Sequence, residues 1–464
     1  MKAESSPPTE RSPARAAALS ILLSTHSGDG AVEELLNENC KGGAFDPRDR
    51  ALAMELASGV LRRKETLDWR LRPVLRKPLD RLPVVVQMLL RMGAYQLLYL
   101  DRIPASAAVD ESVKIARAYS QQLGRDWTGY VNAVLRNLLR LPEPPAPDRR
   151  GQPSEALSVT YSLPLWLCQR WVDRLGIERA ETVCRAASAM PSLTLRVNQQ
   201  RATRDAVLVR LQAAGVAAMP TRISPVGLIL DKGQQVTTLP GFDEGHFYVE
   251  DEAAQLIPPL LDPQPGHTIL DACAAPGGKA THLAELMRNQ GRIVAMDRHK
   301  DRVVRLEENC RRLSATAVMP VVGDARRPAE ALSTHVLASV DRVLLDAPCS
   351  GLGVLRRHPE AKQKKHTAMF ARHHRLQCEL LAAVGAVLRP DGVLVYSTCS
   401  IEPEETEEVI EQFCHHHQQW QRESVAPWVP PSALPFVTPQ GALSTMSNDC
   451  GMDAFYAVRM RKVS

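Results

Sequence analysis

Thr268-Ile269-Leu270-Asp271 is an apolar run closed by an acid, and it passes through Ala272-Cys273-Ala274-Ala275-Pro276-Gly277-Gly278-Lys279 into a helical stretch over 280–287. A loop of small residues between a strand and a helix lets a ligand lie against backbone, and the helix N-terminus favours negative charge. Further apolar runs at 292–296, 318–322, 342–345 and 393–396 alternate with helical stretches. This alternation predicts a parallel α/β sheet over 241–464. The loop is neither Gly-x-Gly-x-x-Gly nor a Walker Gly-Lys-Ser/Thr, so a dinucleotide or an NTP is not its natural ligand.

The rest of the chain is organised differently. Residues 1–13 are Pro/Ser-rich and charged, and are expected to be disordered. Over 14–141 apolar residues recur at three and four positions, as in Val85, Met88, Leu89, Met92 and in Val131, Val134, Leu135, Leu138. That spacing predicts an all-helical bundle. A Pro-rich run over 142–155 cannot be helix interior and reads as a linker. Residues 156–240 mix a helical stretch at 165–175 with a strand at 193–197, and are expected to form a small α+β module. The apolar stretch 84–100 is interrupted by Gln87, Arg91 and Gln96, so no membrane span is expected. Ten cysteines in 464 residues, with no Cys-x-x-Cys, suggest neither a disulfide framework nor a metal knuckle. A cytoplasmic, metal-free monomer is expected, in which thiols are available for chemistry. A formal charge of +5 permits a polyanionic partner without demanding one. His415-His416-His417 reads as a solvated stretch late in a helix.

Acids recur at the strand ends. Asp297 closes the second run, Asp324 the third and Asp346 the fourth. Such acids lie on one edge of the sheet, where α/β folds bind ligands. Asp297 suits a ribose and Asp324 an adenine amino group. Two cysteines emerge at the same edge, Cys349 in Asp346-Ala347-Pro348-Cys349-Ser350-Gly351 and Cys399 in Tyr396-Ser397-Thr398-Cys399-Ser400. One cysteine at a strand end is ordinary packing, whereas two suggest a nucleophile. Carbon C5 of cytosine is a poor nucleophile, and a thiolate added to C6 turns it into an enamine carbon able to attack a sulfonium methyl.

Cys-Ala-Ala-Pro-Gly-Gly-Lys (273–279), Asp-Ala-Pro-Cys-Ser-Gly (346–351), Arg-Arg-His-Pro-Glu (356–360), Ser-Thr-Cys-Ser-Ile-Glu-Pro-Glu-Glu (397–405) and the tail Asp453-Ala454-Phe455-Tyr456-Ala457 resemble the NOL1/NOP2/Sun RNA cytosine-C5 methyltransferases. Gly93-Ala94-Tyr95-Gln96-Leu97-Leu98, 103–111 and Val131-Asn132-Ala133-Val134-Leu135-Arg136 resemble a NusB-like RNA-binding domain, which bacterial small-subunit members of that family carry ahead of the catalytic part. Leu195-Arg196-Val197-Asn198 fits the family's middle module. The resemblance implies a Rossmann-like class I methyltransferase domain behind an all-α NusB-like domain and the small α+β module. It implies S-adenosyl-L-methionine on Cys273, Ala274, Ala275, Pro276, Gly277, Gly278, Lys279, Asp297, Asp324 and Asp346. It makes Cys399 the nucleophile and Cys349 the residue that releases product, with Lys279 and Asp346 near the base. The implied substrate is a cytosine of 16S ribosomal RNA. The same chemistry on tRNA or 23S rRNA is an alternative, as is a non-catalytic RNA-binding factor, although neither the cysteine pair nor the cofactor loop is eroded. Because DNA cytosine methyltransferases attack through the Pro-Cys thiol, the opposite assignment of the two cysteines is also open. The chain departs from the family at Ala361-Lys362-Gln363, usually Ile-Lys-Trp, and at Ala454-Phe455-Tyr456, usually Gly-Phe-Phe.

Overall fold

The computed structural model of the chain describes residues 12–28, 30–40, 45–231, 235–446 and 451–463. The expected disorder of 1–13 therefore falls outside the described residues except at Ser12 and Pro13. Pro13 is ordered: it opens the helix Pro13–Ser27, at the position where proline's missing N–H costs nothing.

Two compact units are present, one of 1–189 with 355–365, the other of 190–354 with 366–464. In the first, helices Pro13–Ser27, Pro47–Arg62, Val84–Tyr99, Ala105–Tyr119 and Thr128–Arg140 enclose a core that includes Leu19, Leu56, Leu89, Val131 and Leu135. The polar residues that interrupt the apolar helix Val84–Tyr99 are all satisfied internally. Arg91 forms a two-pronged pair with Asp68 at 2.6 and 2.9 Å, Gln87 donates to the Leu82 carbonyl, and Gln96 accepts from Arg15. Among the described residues no helix is long and apolar enough to cross a membrane.

After the Pro-rich run, Pro153 opens the helix Pro153–Tyr161, and helices Leu165–Leu175 and Ile177–Ser188 follow. These helices belong to the first unit, whereas the strands read with them as one module belong to the second. Residues 355–365 also belong to the first unit. There the Lys362 ammonium is buried and donates to the carbonyls of Arg62 (3.2 Å) and Ser162 (2.9 Å), each at the C-terminal end of a helix. Burial, with Arg62 beside it, pushes the Lys362 pKa down to about 7.

The second unit contains two sheets. The smaller consists of β1 (Leu193–Val197), β2 (Ala218–Pro220), β3 (Gly227–Leu230) and β4 (Phe247–Val249), antiparallel in the order β2-β3-β1-β4. The larger contains β5 (Thr268–Asp271), β6 (Arg292–Asp297), β7 (Val318–Val322), β8 (Val340–Asp346), β9 (Leu388–Thr398), β10 (Trp420–Glu423), β11 (Leu443–Ser444) and β12 (Tyr456–Lys462). Its order is β10-β12-β9-β8-β5-β6-β7, with β11 on β12. Strands β5 to β9 are parallel, as the alternation predicts, and β12 and β10 extend the sheet antiparallel. Ile269, Val294, Val343, Leu344 and Val395 are wholly buried because helices cover both faces of such a sheet. The strand order reverses between β5 and β8, and a sheet of this kind opens its ligand crevice at that switch point.

Candidate active site

The β5–helix loop is held by backbone hydrogen bonds on both sides. Ala272 N–H donates to Leu344 O of β8, and Ala274 N–H donates to Met296 O of β6. The helix Gly278–Leu286 then starts at the sheet edge, with Gly277 before it at φ +109°. A cavity of about 190 Å³ opens here, lined by Cys273, Ala274, Ala275, Pro276, Gly278, Lys279 and Asp346 from the expected set. Gly277, Asp297 and Asp324 lie outside that lining.

The acids at the strand ends differ sharply. Asp297 is buried, accepts the His299 N–H at 2.9 Å and faces Arg302 at 3.6 Å. Asp324 lies two residues past β7, and its carboxylate is gripped by Arg326, which holds its pKa below the usual range. Asp346 accepts from Lys279 Nζ and from Ser397 Oγ, both at 2.7 Å. Burial works against the Lys279 ammonium, but Asp346, Glu250 and the Cys399 sulfur outweigh it and raise its pKa. Lys279 also stands 5.1 Å above the Phe455 ring, so the family's tail segment reaches the site.

Several residues beyond the expected set belong here. Asp271 ends β5, is fully buried, and neither oxygen receives a well-formed hydrogen bond; the Cys273 N–H attracts it only weakly. Burial first, then the charge of Asp346, pushes its pKa up to about 7. Burial and these carboxylates raise the Cys273 pKa too, so that thiol stays protonated. Tyr248 and Glu250, on and just after β4, complete the cavity wall. Arg196 of β1 is 1% exposed and donates to Glu250 (2.7 Å), Gly278 O (2.5 Å) and Thr281 Oγ1 (3.0 Å). The small sheet thereby fixes the first turn of the helix that carries Lys279.

Cys349 and Cys399 leave the C-terminal ends of the neighbouring strands β8 and β9, and their sulfurs lie 3.4 Å apart. The hydrogen bond with Cys399, and then desolvation, raise the Cys349 pKa well above that of an ordinary thiol. The two loops are also joined by backbone. Gly353 N–H donates to Cys399 O at 2.9 Å, and Ala454 N–H donates to Gly353 O at 3.0 Å. A Cβ on Gly353 would sit 2.0 Å from Ala454 O, so only glycine fits. Glu405 lies beneath both loops and accepts from Ser350 N and Oγ, Ser400 Oγ and His373 Nδ1.

A larger cavity, of about 670 Å³, lies in the first unit and is lined by Trp69, Arg72, Arg76 and Lys77 together with Glu65, Asp68, Asp80 and Glu155. Its charges are mixed, and it holds no thiol. His415 and His416 end the helix Glu407–His416, and among the described residues no group of three or more His, Cys, Asp or Glu could hold a metal ion.

The geometry is that of a ligand cleft and a thiol pair on one sheet edge, and three family matches cover the chain in order. Residues 12–140 match the NusB family, 163–237 the ferredoxin-like domain of RsmF/B-like methyltransferases, and 258–461 the family described as 16S rRNA methyltransferase RsmB/F. Ribosomal RNA small subunit methyltransferase B of Pseudomonas syringae pv. tomato is 36% identical over 97% of this chain and 97% of its own length. The crystal structure of PH0851 superposes with a TM-score of 0.80 at 26% identity, over 99% of this chain and 100% of that one. NSun6 from Pyrococcus horikoshii with SFG has a TM-score of 0.57 at 22% identity, over 65% of this chain and 98% of that one, and shares the fold. With this order of domains and this level of identity along nearly its whole length, the chain belongs to the ribosomal RNA small-subunit methyltransferase B family, within the RsmB/F methyltransferases.

Proposed function

We propose that the chain methylates carbon C5 of a cytosine in 16S ribosomal RNA, using S-adenosyl-L-methionine and a covalent bond between Cys399 and C6. The observation that carries this reading is the pair of sulfurs 3.4 Å apart, on the same edge as a cleft bearing the Lys279–Asp346 pair.

The residues of the cleft fit S-adenosyl-L-methionine. Asp271 is a buried carboxylate without a good partner, and it suits a cationic amino-acid end. A Cβ on Gly278 would meet Glu250 at 2.9 Å and Tyr248 at 3.0 Å, so glycine lets these two cleft-lining side chains close on the start of the helix. Asp297 would accept hydrogen bonds from the ribose hydroxyls, and Asp324 would reach the adenine from a more exposed position. The analogue SFG accompanies the structural neighbour NSun6, which supports the same cofactor class here. When bound, the cofactor supplies an electrophilic sulfonium methyl.

The protein supplies the rest. The Lys279 ammonium interacts with the Cys399 sulfur, which sets a positive charge beside the attacking atom. The Cys399 thiolate adds to C6 and pushes the electron pair of the C5–C6 double bond toward N3, where a hydrogen bond from the Lys279–Asp346 pair would stabilise the charge. C5, made nucleophilic in this way, could then take up the methyl that a cofactor held against Asp271, Gly278 and Asp297 would supply. Cys349, as a thiolate, takes the C5 proton directly or through a water; the double bond re-forms and Cys399 is expelled. The hydrogen bond to Cys399 and burial keep Cys349 protonated before attack; once the Cys399 sulfur is bonded to C6 that hydrogen bond is lost, the Cys349 proton passes to solvent, and the thiolate left behind is the base. We read the helical residues 14–141 as the part that grips rRNA phosphates, ahead of a linker over 142–155, a module over 156–240 and a catalytic region over 241–464.

The test is a denaturing gel of both alanine variants with 16S rRNA and cofactor. Cys399→Ala should form no adduct and no 5-methylcytosine. Cys349→Ala should accumulate a covalent protein–RNA species. A trapped complex with Cys399→Ala and none with Cys349→Ala would reverse the two roles. Bisulfite sequencing that finds the new 5-methylcytosine in tRNA or 23S rRNA instead would move the substrate.

A further inference from the structure

Each thiol is followed in sequence by a serine, Ser350 after Cys349 and Ser400 after Cys399. Both serines are buried, at 0% and 1% exposed. They meet one carboxylate. Glu405 Oε1 accepts Ser350 N–H at 2.7 Å and His373 Nδ1 at 2.7 Å, while Oε2 accepts Ser350 Oγ at 2.5 Å and also Ser400 Oγ. Glu405 is itself fully buried, and its own carbonyl accepts the Tyr396 hydroxyl of β9 at 2.8 Å.

We propose that Glu405 is the positioning residue that holds the two thiols in register, through the serine that follows each of them; the proposal rests on the covalent reading above. An ionised carboxylate is an acceptor with about four lone-pair sites. Here four donors fill them: two from the Cys349 loop, one from the Cys399 loop and one from His373. A buried carboxylate is tolerable only when hydrogen-bonded in this way. Burial alone would raise its pKa, but the bonds from His373, Ser350 and Ser400 outweigh it and keep the group ionised. The two thiols act in succession on adjacent ring atoms of one base, so their spacing matters at both steps. A loop free to shift by an ångström loses much of the advantage of positioning.

The arrangement separates the two steps in a way that general scaffolding does not. Ser400 touches the loop of the attacking sulfur, and Ser350 the loop of the releasing sulfur. The experiment is rapid-quench kinetics on the full chain with 16S rRNA and S-adenosyl-L-methionine, following formation and decay of the covalent adduct. Ser400→Ala should slow formation, Ser350→Ala should slow decay, and Glu405→Gln should slow both, each by roughly tenfold or more. The KM for RNA and the affinity for cofactor should stay within about twofold of wild type, because Ser350, Ser400 and Glu405 are buried and lie outside the lining of the cleft. Wild-type rates in Glu405→Gln overturn the proposal, as does a loss spread equally over KM and cofactor affinity. Should Glu405→Gln not fold, the serine variants carry the test, and equal slowing of both steps in each overturns it. A wild type that forms no adduct overturns the covalent reading, and this inference with it; a wild-type adduct with unaltered variants overturns this inference alone.

Discussion

The two halves of the sheet edge are finished to different degrees. On the cleft side, β5 ends in Asp271, a buried carboxylate that lacks a well-formed hydrogen bond. On the thiol side, the Glu405 carboxylate takes four donors and the backbone around Gly353 is locked to both Cys399 and Ala454. In the proposed reaction a ligand would complete the first half, whereas the second would be rigid before any ligand arrives. Unsatisfied groups cost stability, so they persist where binding repairs them; saturated networks cost flexibility, so they suit groups that must be aimed. The Lys279–Asp346–Ser397 chain spans the boundary and belongs to both halves.

The largest expected effect within the cofactor half is at Asp297. Its replacement in Asp297→Ala removes a pair of charge-assisted hydrogen bonds and should weaken S-adenosyl-L-methionine by about 2–4 kcal/mol in calorimetry. Unchanged affinity would remove Asp297 from the ligand half and leave it a cap for the His299 N–H.

Asp271 sharpens the comparison through pH. Its pKa is pushed up to about 7, against roughly 3.9 for an unfolded carboxyl. Between those values the folded protein keeps a proton that the unfolded chain has lost. The stability this group contributes is therefore fully present below about pH 4 and is lost as pH rises through about 7. Asp271→Asn should flatten that part of the melting-temperature profile. A cation seated against Asp271 favours the ionised form, so cofactor binding near neutral pH should release a proton, seen as a binding heat that depends on the buffer. The variant should lose this proton and about tenfold in affinity above pH 7. Parallel pH profiles for the two proteins would show that the carboxylate is not the titrating group.

Asp324 should matter least. Its side chain is 35% exposed and already paired with Arg326. Asp324→Ala should cost about 0.5–1 kcal/mol of cofactor affinity in the same calorimetry. A loss as large as that of Asp297→Ala would place Asp324 with the buried acids instead.

Much of this edge was legible in the chain. The apolar runs at 292–296 and 318–322 became β6 and β7, and the run at 393–396 became the middle of a longer strand. Asp297, Asp346, Cys349 and Cys399 all lie at or just past strand ends, as their positions after apolar runs predict. Asp271 carried the same signal, an acid closing an apolar run, and it could have been found by the rule that singled out Asp297. Arg196, Tyr248 and Glu250 carried no such signal, since they reach the cleft from another sheet some 30 to 80 residues earlier in the chain. Glu405 stood inside a quoted motif, but nothing local shows that its partners include Ser350, 55 residues away. The assignment of 355–365 to the helical unit was equally hidden, because a short loop reveals nothing about what it packs on.

The sequence by itself determined where strands stop and which side chains stand at their ends, because periodicity, small-residue loops and helix starts are local properties of a few successive residues. It also determined the family, through motifs long enough to be specific. Only the tertiary structure decided that β8 pairs with both β5 and β9, so that two thiols 50 residues apart come within 3.4 Å of each other. It alone decided which carboxylates are spent on neighbours and which are left open, because a buried charge is satisfied or stranded by whatever the fold brings within hydrogen-bond reach.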